Sequence, residues 1–179
     1  MKIVVFHGTG GSPDINWFPW LVAKGKKLGH VVVVPRMPTP QGQDVRTWLK
    51  YVPDFDEDTI LIGHSIGATF LLHVLENAAV AVKKSIFAAP VMGQLGYPEY
   101  DDLNFSFYDH HFEWPKIRAN AGSAIILHGN DDPYVPLAHA HNLKDHIGGN
   151  LKIVPGGGHL NEEFGYTEFP EILAEIMDK

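Results

Sequence analysis

Six short apolar runs, each followed by a stretch of different periodicity, leave this chain few ways to fold. They are Lys2 to His7, His30 to Pro35, Thr59 to His64, Ser85 to Ala89, Ala124 to His128 and Leu151 to Val154. The runs are rich in β-branched residues and continuous rather than alternating, the pattern of strands covered on both faces. Between them, Trp17 to Leu28, Asp44 to Tyr51, Ile66 to Ala78, Leu137 to Ile147 and Phe169 to Met177 carry helical spacing, with Asp44 placed to cap its segment. Parallel neighbours need crossover connections, so the expected class is α/β: about six mostly parallel strands with helices on both faces. At 179 residues and 45% hydrophobic content the chain can bury one sizeable core, and a single domain over residues 1–179 is expected.

One long segment, from Val91 to about Lys116, fits no strand–helix unit. It holds Tyr97, Tyr100, Phe105, Phe107, Tyr108, Phe112 and Trp114. So many aromatics argue against disorder, and a long loop in a compact domain usually serves function. The expectation is a cover over the functional edge of the sheet rather than a separate lid domain.

Composition removes several function classes. The formal net charge is −7 and the basic residues are scattered, which disfavours nucleic acid and anionic membrane surfaces as partners. Without cysteine there are no disulfides, thiolate metal sites or thiol nucleophiles. The apolar run Ile3 to Phe6 is too short for a secretory core or a membrane span, so a soluble cytoplasmic protein is expected. Nothing in the residues identifies a protein partner.

The chemistry concentrates at Gly63-His64-Ser65-Ile66-Gly67, a Gly-x-Ser-x-Gly string at the junction of a buried strand and an apolar helix. In that context the serine sits on a strained turn, and the flanking glycines let strand and helix approach without Cβ clashes. Ser65 is thereby a candidate nucleophile. The Ile66 N–H, at the start of the helix, is a candidate donor to an oxyanion.

A serine hydroxyl needs a base, and His159 follows Gly156-Gly157-Gly158 directly after the last strand, on the same edge of the sheet. The acid belongs in the loop after the fifth strand, Gly129-Asn130-Asp131-Asp132-Pro133-Tyr134-Val135-Pro136, where Asp131 and Asp132 are adjacent candidates. A second oxyanion donor is expected in His7-Gly8-Thr9-Gly10-Gly11-Ser12-Pro13, with the Thr9 N–H best placed. That loop lacks the spacing of nucleotide-binding motifs. His110-His111 and His139-x-His141 show no complete ligand set, so neither a metal nor a cofactor is expected.

The elbow, the DDPYVP loop, the GGGH turn, HGTGGSP with NWFPW, and FEWPKIRANA from Phe112 to Ala121 together resemble the small serine hydrolases of the retinoblastoma-binding protein nine and YdeN type. The resemblance spans essentially the whole chain. It implies a minimal α/β-hydrolase fold, esterase-like activity in some members and no shared substrate. The family's Leu-x-Cys-x-Glu motif is absent, since there is no cysteine.

Two considerations then favour Asp132 as the acid. Gly129-x-x-Asp132-x-x-Val135-Pro136 is similar to a pattern common in α/β hydrolases, and Pro133 restricts Asp132 to extended backbone, leaving Asp131 to cap the turn. The expected function is a carboxylesterase acting on small esters through Ser65, His159, Asp132 and an acyl-enzyme. The alternative is a catalytically weak or inactive hydrolase fold used for protein binding.

Overall fold

In the computed structural model, which describes residues 1–178, the six runs form one wholly parallel sheet in the order β2-β1-β3-β4-β5-β6. The strands are β1 (Lys2–Phe6), β2 (Val31–Val33), β3 (Ile60–His64), β4 (Lys84–Ala88), β5 (Ser123–Gly129) and β6 (Asn150–Val154). At the edge, β2 is shorter than its apolar run. It pairs with β1 alone, and Pro35 has no N–H to continue a ladder. The chain runs outward from β1 to β2 and then returns past β1 to β3, so the loops after β1 and β3 diverge and open a crevice between them.

Alternate strand residues feed two separate cores. On one face Ile3, Val5, Ile60, Ile62 and Ile86 pack beneath α1 (Phe18–Lys27) and α7 (Pro170–Met177). On the other, Val4, Phe6, Leu61, Phe87 and Ile126 pack beneath α3 (Ile66–Asn77) and α6 (Leu137–Ile147). The central helix α3 is buried from Ile66 to Glu76 because α4 (Pro98–Tyr108) and α5 (Trp114–Asn120) cover its outer side. The short α2 (Val45–Trp48) starts where expected: Asp44 Oδ1 accepts the Thr47 N–H at 2.8 Å. Among the described residues no helix is long and apolar enough to cross a membrane.

The aromatic segment is not the loop that its sequence suggested. It contains α4 and the start of α5, and both open with proline in the first turn, α4 with Glu99 and Asp101 beside it. Proline and acids at a helix start are recognisable signals, but the density of aromatics masked them. The helix is anchored by Phe107, fully buried and edge-on to Trp48 (4.8 Å) and Phe70 (6.2 Å between centroids).

Removing that anchor empties space that backbone cannot refill. Phe107→Ala is expected to cost about 3–5 kcal/mol in urea unfolding. A loss below about 1 kcal/mol would mean that α4 is not held by this contact.

Candidate active site

Ser65 links β3 to α3 with φ 58° and ψ −127°, a conformation that side chains rarely adopt and that costs about 1–3 kcal/mol. Its surroundings allow no other path. A Cβ on Gly67 would lie 2.3 Å from the Phe6 carbonyl oxygen, and one on Gly63 would lie 2.4 Å from the Gly67 oxygen. The Ser65 N–H donates to the Ala88 carbonyl at 2.9 Å, which pins the turn to the end of β4.

The loop after β1 comes equally close. A Cβ on Gly8 would sit 2.9 Å from Ser65 Cβ and 3.3 Å from its Oγ. The next residue, Thr9, therefore stands beside the serine. Neither its N–H nor that of Ile66, which opens α3, has a partner among the described residues. Two free N–H groups near one hydroxyl are what binding of an oxyanion requires.

Across the crevice, Asp132 Oδ2 lies 2.8 Å from His159 Nδ1. The other oxygen, Oδ1, accepts the N–H groups of Tyr134 (2.9 Å) and Val135 (3.0 Å). Asp132 thus caps the turn itself, a role the sequence had left to Asp131. Asp131 Oδ1 instead accepts the Gly158 N–H at 2.9 Å and ties the two loops together. Burial raises the Asp132 carboxyl, but His159 and the two N–H groups outweigh it and hold the carboxyl below its usual range. The Ser65 hydroxyl makes no hydrogen bond among the described residues. It shares with His159 the lining of a cavity of about 400 Å³ under α4 and of another of about 260 Å³ on the β1 side. A serine–base contact often tightens only with substrate present.

Sequence reasoning missed a set of buried histidines at strand ends. The Met37 N–H donates to His7 Nε2 (3.0 Å), so the ring proton sits on Nδ1 and is donated to the Gly8 carbonyl (2.9 Å). His64 Nε2 donates to the His159 carbonyl, and His128 Nε2 to that of Val135, each at 2.9 Å. Trp17 Nε1 donates to the Leu160 carbonyl at 3.0 Å. Each loop of the site is thereby held by a buried ring. The signal was present: His7-Gly8, His64-Ser65 and His128-Gly129 all put histidine at the end of a strand that feeds the crevice. Burial pushes His7 and His128 below the ordinary imidazole value. His64, pushed by burial and by His159, falls to about 3.

The histidine pairs considered as metal ligands lie apart. His139 is partly buried and accepts the Met92 N–H at 2.8 Å, while His141 is exposed. His110 meets Glu76 (2.7 Å) near His73, and the ligand atoms of the three lie within 4.8 Å of one another. Glu76 Oε1 accepts the Glu113 N–H (2.6 Å) and His73 Nε2 donates to the Phe107 carbonyl (2.8 Å), so the cluster laces α3 to the end of α4 and to the segment that follows it. His111 lines a surface cavity beside it.

A parallel sheet of this order, with a strained serine at its third strand and a histidine–carboxylate pair beyond, defines an α/β-hydrolase fold. Residues 3–178 match the model of the serine hydrolase family, and the chain belongs to that family. It is 26% identical to YdeN of Bacillus subtilis, over 99% of this chain and 97% of that one. It is 28% identical to the serine hydrolase RBBP9 of Rattus norvegicus, over 98% and 93%. The crystal structure of the B. subtilis ydeN product superposes with a TM-score of 0.90, covering 98% of this chain and 96% of that one. Est1E of Butyrivibrio proteoclasticus, at 15% identity over 98% and 85% of the two chains, shares the fold with a TM-score of 0.70.

The neutral histidines make stability depend on pH. Above about pH 6.5 His64 is neutral in both folded and unfolded chains. Below it, the unfolded chain binds a proton that the folded one refuses. Stability then falls by about 1.4 kcal/mol per pH unit for this residue, with His7, His73, His128 and His139 steepening the fall. In urea unfolding at pH 7, 6 and 5, His64→Gln should show a shallower loss than the wild type. Equal slopes would rule out a neutral His64.

Proposed function

We propose that this chain is a carboxylesterase for small, uncharged esters, with Ser65 as nucleophile, His159 as general base and Asp132 as the carboxylate that orients it. The observation carrying this is the Asp132–His159 hydrogen bond, which opens onto the cavity that Ser65 also lines. In the reaction, Ser65 Oγ attacks the ester carbonyl and its proton passes to His159 Nε2. The negative oxygen of the tetrahedral intermediate takes the N–H groups of Ile66 and Thr9. His159 then protonates the departing alcohol, leaving an acyl group on Ser65. Water, deprotonated by the same ring, releases the acid. Asp132 stays ionised throughout and stabilises the imidazolium.

The lining of the larger cavity supports an uncharged substrate. Glu99 and Glu163 contribute to it, and no lysine or arginine does among the described residues. An anionic acyl group would meet like charge there without a counterion. With p-nitrophenyl esters at low salt, hemisuccinate should be turned over on the order of tenfold less efficiently than butyrate, and added salt should narrow the gap. A preference for the anion would remove this part of the reading.

The mechanism itself is tested by substitution. Ser65→Ala should abolish both labelling by a fluorophosphonate probe and ester turnover while leaving the fold intact. Asp132→Asn should lower kcat by roughly four orders of magnitude through the wrong imidazole tautomer, whereas Asp131→Asn should retain most activity. A wild-type protein that resists the probe would point to a binding module instead, and reversed aspartate variants would displace Asp132.

A further inference from the structure

Behind the loop after β1 lies a small polar network whose direction is set at one end by a backbone amide. The Gly10 N–H, which only donates, gives its hydrogen to Thr39 Oγ1 at 2.8 Å. The Thr39 hydroxyl proton therefore goes to Gln43 Oε1. That orients the Gln43 amide, whose Nε2 donates to Thr9 Oγ1 (2.7 Å) and Asn104 Oδ1 (2.8 Å). Thr9 Oγ1, already accepting, passes its own proton to Asn104 Oδ1 at 2.7 Å. Both lone pairs of Asn104 Oδ1 are thus occupied. Flipping the Asn104 amide would set its NH2 group against two donors.

What remains is the Asn104 NH2 group, which has no partner among the described residues. Asn104 is 3% exposed, and it lines the cavity of about 400 Å³ that also holds Ser65, Thr9 and His159. A buried amide with its acceptor saturated and its donors unused, facing a cavity, is a built hydrogen-bond donor without an acceptor. Leu95, Tyr97 and Tyr100 line the same cavity and supply apolar surface, while Glu99 and Glu163 on its wall are acceptors when ionised.

We infer that Asn104 is a substrate-recognition residue: its NH2 group donates to an uncharged oxygen of the ester and selects small esters that carry an ether, hydroxyl or carbonyl oxygen beside the reacting group. A site that offers such a donor discriminates against analogues lacking the acceptor, because the donor is then left unpaired. The acceptor belongs either to the acyl or to the alcohol part, and the test has an arm for each. This activity test rests on the esterase reading, whereas the binding test does not.

In the first arm kcat/KM is compared for p-nitrophenyl methoxyacetate and p-nitrophenyl butyrate, which differ by one oxygen in place of CH2. In the second, 2-methoxyethyl butyrate is compared with butyl butyrate. The variant is Asn104→Asp, which keeps an acceptor for Thr9 and Gln43 and exchanges the NH2 group for a carboxylate oxygen, an acceptor only when ionised. Intrinsic reactivity cancels when each ratio is compared between wild type and variant. In one arm the oxygen-to-methylene ratio is expected to drop about three- to tenfold, the range of a single neutral hydrogen bond. A residue that merely positions the β1 loop would slow all four esters alike, and unchanged ratios in both arms overturn the inference. Independently, the ¹⁵N-edited side-chain NH2 signal of Asn104 in the Ser65→Ala protein should shift on titration with methyl methoxyacetate or 2-methoxyethyl butyrate, and shift less with methyl butyrate. An unmoved signal with both oxygen esters also overturns it. Should the signal move while the wild type hydrolyses no ester, the esterase reading falls and the recognition site stands.

Discussion

No side chain fits between the first turn of α3 and the end of β1, and the geometry of the site follows from that closeness. With a Cβ at position 67 driven to 2.3 Å from the Phe6 oxygen, only glycine lets the helix dock there. Docking at that distance sets the loop after β1 against Ser65, which in turn requires glycine at position 8. The strained Ser65 backbone is a consequence of the same approach. Its cost is offset by the continuous burial of α3 between the sheet and two covering helices, where each buried leucine or phenylalanine contributes about 1.5–3 kcal/mol.

A turn held this rigidly is of use only if the loops facing it are equally fixed, and here buried imidazoles do the holding. A histidine ring carries two directional nitrogens on a flat, rigid body, so it can hold a carbonyl or an N–H while packing as an aromatic. His7 uses both nitrogens to join the β1 loop to the segment after β2, and stands edge-on to Trp48. His64 holds the carbonyl of His159, the residue whose ring meets Asp132 across the crevice. The Met37 bond to His7 needs a neutral ring, and burial keeps both His7 and His64 neutral near neutral pH by disfavouring their charged forms.

The strand pattern was legible because each run is apolar on both faces, and α6 was legible to the residue, from Leu137 to Ile147. The convergence of Ser65, His159 and Asp132 on one edge of the sheet was legible from a local string, a glycine turn and a proline-restricted loop. What escaped reading was nonlocal. That α4 is a helix depends on Phe107 finding Trp48 and Phe70, residues far away in the chain, and aromatic crowding looks the same in a loop. The double role of Asp132 is not readable in the string, because only the folded loop gives its two oxygens separate partners, the Tyr134 and Val135 N–H groups for one and His159 for the other. Gln43 and Asn104 gave no signal, since a buried amide is recognisable only once its partners have been assembled from distant segments.

Asn104 and Phe107 are three residues apart on α4 and share its inward face, so one helix turn serves both the core and the cavity. The packing of Phe107 determines where Asn104 sits, and the network through Gln43 determines which way its amide faces. Burying two amides beside an apolar core is unfavourable unless their hydrogen bonds are met, and the network meets every acceptor it contains. One donor is left over, on the wall of the cavity that Ser65 lines. The Oδ1 end of Asn104 serves the network by accepting from Thr9 and Gln43, whereas its NH2 end contributes nothing to it. On the recognition proposed for Asn104, the acceptor for that group arrives with the substrate.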